Sequence, residues 1–287
     1  MPNIKHLSVM VVRLMIAFSI VLALPVLASE KTSDAEILMG SISLDTPVNM
    51  IGRLAPLAKY LSEKVGSNVV FRPSVTFGNT IDDLGNNVIQ LAYLTPVAYL
   101  EAREKYGVIP LAKPLNKGKN TFTLKIFVKK ESAIKNVSQL QGKTFAFGDK
   151  KSKLQQVVVE NAGIKLNEFS AYSYLLHQDN VIKAIIHGDF DAGIVKDTVL
   201  EKFSNGELRV VHTSAPFVAF IFAVSKDFSP QVASRLKKAL LELKSTSPRE
   251  AEVLTSLENG YTGFESVNDK EFDGIRKLLA NSEKVPN

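Results

Sequence analysis

Two runs of alternating strand and helix, displaced by about 101 residues, limit this chain more than any other feature. Asn79 and Ile81 line up with Asn180 and Ile182, and Gln90, Ala92 and Leu94 line up with Asp191, Gly193 and Val195. In each run a buried strand ends at a turn that starts a helix: Leu94-Thr95-Pro96 and Val195-Lys196-Asp197. Alternation of this kind predicts parallel sheets covered on both faces. Its repetition predicts two lobes of one α/β architecture, each about a hundred residues.

The first run begins with the short apolar strand Ile37 to Ser41. Thr46-Pro47 starts a helix, with threonine as N-cap and proline at the first helical position. Ile51, Leu54, Ala58, Leu61 and Val65 then recur at helical spacing, and Gly66 closes the helix. Strands follow at 69–71, 88–94 and 108–112, and residues 113–120 read as a polar connector. The second run has strands at 144–147, 169–175, 190–195 and 208–212, with helices over 152–162, 181–187 and 197–203 between them. Residues 217–224, FVAFIFAV, read as one fully buried strand. Helices over 230–244, 248–257 and 269–279 cannot form a third core, so they return to the first lobe. The chain then crosses between lobes twice, and two crossings make a hinge with a cleft. The expected organisation is residues 29–121 plus 224–287 as lobe 1 and 122–223, with the hinge crossings counted in, as lobe 2.

Residues 1–28 read as an export signal. Lys5 and Arg13 precede an apolar run, Leu14 to Leu24, that is too short to span a bilayer comfortably. Val26-Leu27-Ala28 is a small-residue cleavage site. Loss of this segment leaves 33 basic against 29 acidic residues, a net charge of +4 rather than +6. That mild excess suits an anionic ligand and is not a nucleic-acid footprint. The chain contains no cysteine, which excludes disulfides and thiolate chemistry. It has no Gly-x-Ser-x-Gly and no metal-spaced cluster among its four histidines, so an enzyme is not expected, nor is a cofactor or metal.

In open α/β sheets ligands sit at the carboxyl ends of strands, against helix N-termini. The stretch KTFAFGDKKSKLQQVVV, 143–159, offers such a place: a strand, a Gly-Asp turn, a loop with Lys150, Lys151 and Lys153, and a helix start near Ser152. Free backbone amides and the positive helix end would converge there on an anion. An ordinary capped helix with solvated lysines is the competing reading. The loop would face the helix start at Thr95 across the cleft. An exported, cysteine-free, two-lobed α/β protein of this kind reads as a solute receptor.

The segments LAPLAKYLSEKVG (54–66), LAYLTPVAYLEAREKYGVIPLA (91–112), LQGKTFAFGD (140–149), DNVIKAIIHGDFDAGIVKDTVLEKF (179–203) and LRVVHTSAP (208–216) resemble the periplasmic phosphonate-binding (PhnD) family of ABC transporters. The resemblance implies a type II periplasmic-binding-protein fold: two similar βα lobes, a two-strand hinge and a cleft that closes on a small phosphorus oxyanion. It also implies a periplasmic location and an inner-membrane ABC permease as partner, and it leaves a homodimer open. The family's loop usually continues as Ser-Thr-Ser-Gly. Here Ser152 keeps the first hydroxyl, while Lys153, Leu154 and Gln155 replace the rest. The departure leaves open a ligand without phosphorus, or a sensor of the same fold serving a signalling partner. Tyr99, with Thr95, matches the family's cleft tyrosine. Asp197 matches an acid that pairs with a ligand amine in some members. The cleft histidine falls at His177 or, one residue on, at Gln178. The implied ligand-binding set is Thr95, Tyr99, Ser152, Lys153, His177, Gln178 and Asp197.

Overall fold

The computed structural model describes residues 36–42, 45–74, 77–150, 153–203 and 206–282. The proposed signal segment and Ser152 lie outside these residues. Thr46 and Thr95 each accept a hydrogen bond on their side chains, from the amides of Asn49 and Ala98, and so start helices α1 (Pro47–Val65) and α3 (Pro96–Tyr106). Gly66 and Gly107 end them in the left-handed region, with φ of 74° at each. Helix α2 (Phe77–Gly85) lies between them in sequence. Leu54, Ala58, Leu61 and Val65 of α1 are buried, whereas Ile51, which shares their spacing, is exposed.

The first sheet has strand order β13-β4-β12-β3-β1-β2. Its strands are β1 (Ile37–Ser41), β2 (Val69–Phe71), β3 (Leu91–Leu94), β4 (Ile109–Asn116), β12 (Ile221–Val224) and β13 (Tyr261–Ser266). The second has order β10-β6-β9-β7-β8, built from β6 (Leu124–Lys129), β7 (Thr144–Phe147), β8 (Ala171–Tyr174), β9 (Ala192–Lys196) and β10 (Leu208–Thr213). The two sheets follow one plan. In each, the first strand pairs in parallel with the second and third, and an antiparallel strand that has come through the hinge sits beside the third. The sheets are therefore mixed rather than wholly parallel, because each lobe takes in one strand from each crossing. The repeat extends to side chains. Gln90 accepts a 2.9 Å bond from the Leu38 amide at the start of β1, and its counterpart Asp191 accepts one of 2.9 Å from the Thr144 amide at the start of β7.

Residues 217–224 do not make one strand. Strand β11 (Phe217–Val218) pairs with β5 (Thr121–Phe122) as the hinge, and β12 then pairs with β3 and β4 of lobe 1. Strand β12, from Ile221 on, therefore belongs to the first sheet. The connector expected at 113–120 is partly sheet, since β4 continues to Asn116. Lys113 is buried there and tolerated because Glu265 and Glu271 both pair with it. Strand β13 carries no regular alternation of apolar residues, which is why the sequence did not mark it.

In lobe 2, α4 (Lys153–Asn161), α5 (Gln178–His187) and the short α6 (Asp197–Glu201) follow β7, β8 and β9. Val181, Ile182 and Ile185 of α5 pack on Phe127, Ala146 and Val195 of the sheet. Gly193 lets α5 approach: a Cβ there would come within 2.6 Å of Val181 Cγ1 and 3.2 Å of the Ala146 carbonyl oxygen. Helices α7 (Pro230–Glu242) and α8 (Pro248–Leu257) pack on α1 of lobe 1, as their lack of a separate core requires. The last segment is a 3-10 turn, Asp269–Phe272, and helix α9 (Asp273–Ser282), which touches both α3 and α4.

Candidate functional site

Strand β9 ends at the lobe interface, and Lys196 is its last residue. The Lys196 amide donates to Gln178 Oε1 at 2.6 Å, which ties the end of β9 to the start of α5. The Lys196 side chain crosses to lobe 1. Its Nζ lies 2.9 Å from Glu258 Oε1, in the turn between α8 and β13. Thr198 Oγ1 donates to the same oxygen at 2.6 Å, and Arg53 Nη2 of α1 stands 4.0 Å from Glu258 Oε2. The Lys196 ammonium also faces two hinge rings, 5.6 Å from the centre of Phe122 and 4.9 Å from that of Phe220. The two charged side chains are 8% and 9% exposed, so this is a desolvated pair joining the lobes. Burial alone would raise the Glu258 carboxyl. The Lys196 charge and the hydrogen bonds from Thr198 and Lys196 outweigh it and hold the carboxyl below its ordinary value. Behind Glu258, the hydroxyls of Tyr93 and Tyr261 meet at 2.7 Å, fully buried, and burial pushes both phenols well up.

A cavity of about 80 Å³ opens beside this pair. Lobe 1 lines it with Asp45, Arg53 and Glu258, the hinge with Phe220, and lobe 2 with His177, Gln178, Asp179 and Lys196. His177 precedes the first turn of α5 without capping it. Its Nδ1 is buried and has no hydrogen-bond partner among the described residues. The residue before it, Leu176, has φ of 66°, a left-handed conformation that a branched side chain adopts only under strain. The start of α5 thus brings an unpaired imidazole nitrogen to a positive helix end.

The sequence-predicted residues divide. His177 and Gln178 both line the cavity. Thr95 caps α3. Lys153 is exposed at the start of α4. Asp197 has its oxygens engaged by the Thr123 amide, the Thr123 hydroxyl and the Thr198 amide, at 2.8, 2.9 and 2.8 Å. It borders a neighbouring cavity of about 180 Å³, which Lys117 and Lys119 also line. Tyr99 corrects the expectation for a cleft tyrosine. It is fully buried, packs on Phe272 and donates 2.6 Å to Asp269, which Arg276 also holds. A helical residue one turn inside α3 points to the C-terminal segment, not to the interlobe cavity. In the loop after β7, the Gly148 amide donates to Gln155 Oε1 at 2.8 Å, while Gln155 Nε2 donates to the Ile194 carbonyl at 3.2 Å. Leu154 is core.

Arg53, Glu258, Lys196 and Phe220 were not marked by sequence reasoning. Lys196 and Asp197 stand together in GIVKD, and the geometry selects the lysine for the cavity. Glu258 and Arg53 meet Lys196 only through tertiary structure, and neither carries a local signal.

A hinge of two strands, two sheets of one plan and a small polar cavity between them define a two-lobed solute receptor of the type II periplasmic-binding-protein fold. Residues 39–272 match the family model described as ABC transporter, phosphonate, periplasmic substrate-binding protein. The chain belongs to that family. It is 23% identical over 280 residues to the phosphate-import protein PhnD of Mycolicibacterium smegmatis, covering 86% of this chain and 87% of the relative. Among solved structures it resembles PhnD1 of Prochlorococcus marinus in complex with methylphosphonate, with TM-score 0.77, 18% identity, and coverage of 87% of this chain and 99% of the other. It also resembles a binding protein component of an ABC phosphonate transporter from Pseudomonas aeruginosa, with TM-score 0.75, 17% identity and 86% of both chains covered. As a member of this family the protein is the periplasmic substrate-binding component of a phosphonate ABC transporter, and its partners are a small ligand and a permease in the inner membrane. Among the described residues, no helix is long and apolar enough to cross a membrane.

Proposed function

We infer that the cavity at the start of α5 captures a small phosphorus oxyanion, namely phosphate, phosphite or a short alkylphosphonate. One observation carries this reading: His177, at the positive end of α5, lines a cavity of about 80 Å³ and holds a buried Nδ1 with no hydrogen-bond partner among the described residues. Gln178 and Arg53, which also line the cavity, complete the proposed site, and the family resemblance adds Ser152, Lys153 and Thr95 to the proposed set. Tyr99 and Asp197 are left out, because both are engaged elsewhere. The role is capture and delivery, with no catalytic step.

The expected result is stabilisation by mass action. Ligand at a hundred times its dissociation constant adds about 2.7 kcal/mol to folding stability. A thermal-shift series with phosphate, phosphite, methylphosphonate and sulfate should show a dose-dependent rise for at least one phosphorus oxyanion, and His177→Ala should weaken it. If none of them raises the melting temperature, the ligand is of another class.

We also propose that export removes residues 1–28. Intact-mass measurement of protein recovered from the periplasm should give a chain beginning at Ser29. A mass corresponding to the full sequence would mean that the segment stays attached as an anchor.

A further inference from the structure

The carboxylate of Glu258, itself held by the Thr198 hydroxyl, and the rings of Phe122 and Phe220 surround one ammonium group. Together they have the chemistry of a cation site. A carboxylate supplies charge, a second group fixes it, and aromatic faces accept a desolvated ammonium at centroid distances of about 6 Å or less. The occupant is the chain's own Lys196, which reaches the site from the end of β9 and is held at its backbone by Gln178. The same Lys196 and Glu258 line the cavity that contains His177. An anion held at His177 therefore has a cation site beside it that is already filled.

We propose that Lys196 is the specificity-determining residue of the cleft: its tethered ammonium occupies the cation subsite and excludes ligands that carry an amine of their own. The receptor then selects plain oxyanions and short alkylphosphonates over zwitterionic aminoalkylphosphonates. An amine-bearing ligand would have to displace a lysine that is already desolvated and paired, or bring its ammonium close to that lysine as a like charge. This inference rests on the oxyanion reading above for the identity of the anion, but the cation site itself does not.

Titration calorimetry of the purified protein and of Lys196→Ala, with methylphosphonate and 2-aminoethylphosphonate, tests the assignment. The protein should prefer methylphosphonate. Lys196→Ala should shift the ratio of the two affinities by about tenfold or more toward 2-aminoethylphosphonate, as one charge-assisted contact is gained. Lys196→Arg, which keeps a cation in place, should retain the original preference. An unchanged ratio in Lys196→Ala overturns the proposal.

A second measurement is independent of the anion. The melting temperature of Lys196→Ala should rise with methylammonium chloride more than with sodium chloride at the same concentration, whereas the unaltered protein should show no difference. If the variant is unfolded in both salts, or gains nothing from methylammonium, the cation site is refuted. Rescue by methylammonium in a protein that binds none of the phosphorus oxyanions would uphold the cation site and reject only the oxyanion reading.

Discussion

Glu258→Gln is expected to open the cleft. The change keeps the shape of the side chain and removes its charge. In the closed arrangement it would leave Lys196 buried with Arg53 nearby and no counter-charge. Removing one partner of a buried pair costs about 3–5 kcal/mol, because the remaining ion stays desolvated. Here the partners belong to different lobes, so the molecule can relieve that cost without unfolding. Rotation about the β5–β11 hinge returns Lys196 to water. A bias of that size changes the open-to-closed ratio by more than a hundredfold. Small-angle scattering should therefore show a larger radius of gyration for Glu258→Gln than for the unaltered protein, with a fall in unfolding free energy smaller than the pair would imply for a single rigid lobe. A double change of Lys196→Met with Glu258→Leu, which buries no charge, should restore the compact form. An unchanged radius with the full loss of stability would show that the hinge does not yield.

The same pair sets a pH dependence. The folded Glu258 carboxyl titrates below its ordinary value of 4.5, against the raising effect of burial and because Lys196 and its hydrogen bonds favour the charged form. A depressed acid contributes stability above its unfolded pKa and loses it as pH falls through the folded value. The closed form should thus persist near neutrality and give way on acidification below the usual carboxylate range. Glu258→Gln should lack that part of the transition. Glu265 and Asp269 are also held low and act in the same direction, but both lie on lobe 1 and bind lobe 1 partners, so their protonation loosens that lobe rather than the clasp.

Much of the scaffold was legible because its signals are local. Thr46-Pro47, Thr95-Pro96, Gly66 and Gly107 mark helix ends through hydrogen bonds and backbone angles that neighbouring residues decide. The repeat was legible because each lobe solves the same burial problem with the same strand order. Strand β13 and the split of 217–224 were not, because both depend on which sheet the chain joins. FVAFIFAV is apolar throughout, so nothing local tells a hinge strand from a core strand. The site divides along the same line. His177 and Gln178 could be found because a helix start is a local event. Tyr99 was misplaced because sequence position on α3 does not reveal which side the residue faces once the C-terminal segment packs there. The charges at Arg53, Lys196 and Glu258 are 143 and 62 residues apart and meet only in the folded protein.

The loop after β7 yields the other large effect, through Gln155. Its side chain is buried, and its two ends are both committed: Oε1 to the Gly148 amide and Nε2 to the Ile194 carbonyl. Gly148 also lies against the cavity residue Gln178, since a Cβ on it would be 3.4 Å from Gln178 Cγ and 3.3 Å from Gln155 Oε1. The glutamine head therefore bridges the end of β7 to β9 and takes up the Gly148 amide, a backbone donor next to Gln178 that could otherwise face an anion. Gln155→Ala strands two buried backbone groups at about 1–3 kcal/mol each, so unfolding in urea should show a loss of about 2–6 kcal/mol with an unchanged slope. If the freed Gly148 amide then turns to the ligand, phosphate or methylphosphonate should bind about tenfold more tightly to the variant, the gain of one donor to a charged oxygen. Stability and affinity would move in opposite directions, which simple loosening of the lobe does not produce. A variant that loses stability and binds no better would make Gln155 a structural brace alone, and the anion would then be held by the start of α5 and the side chains around it.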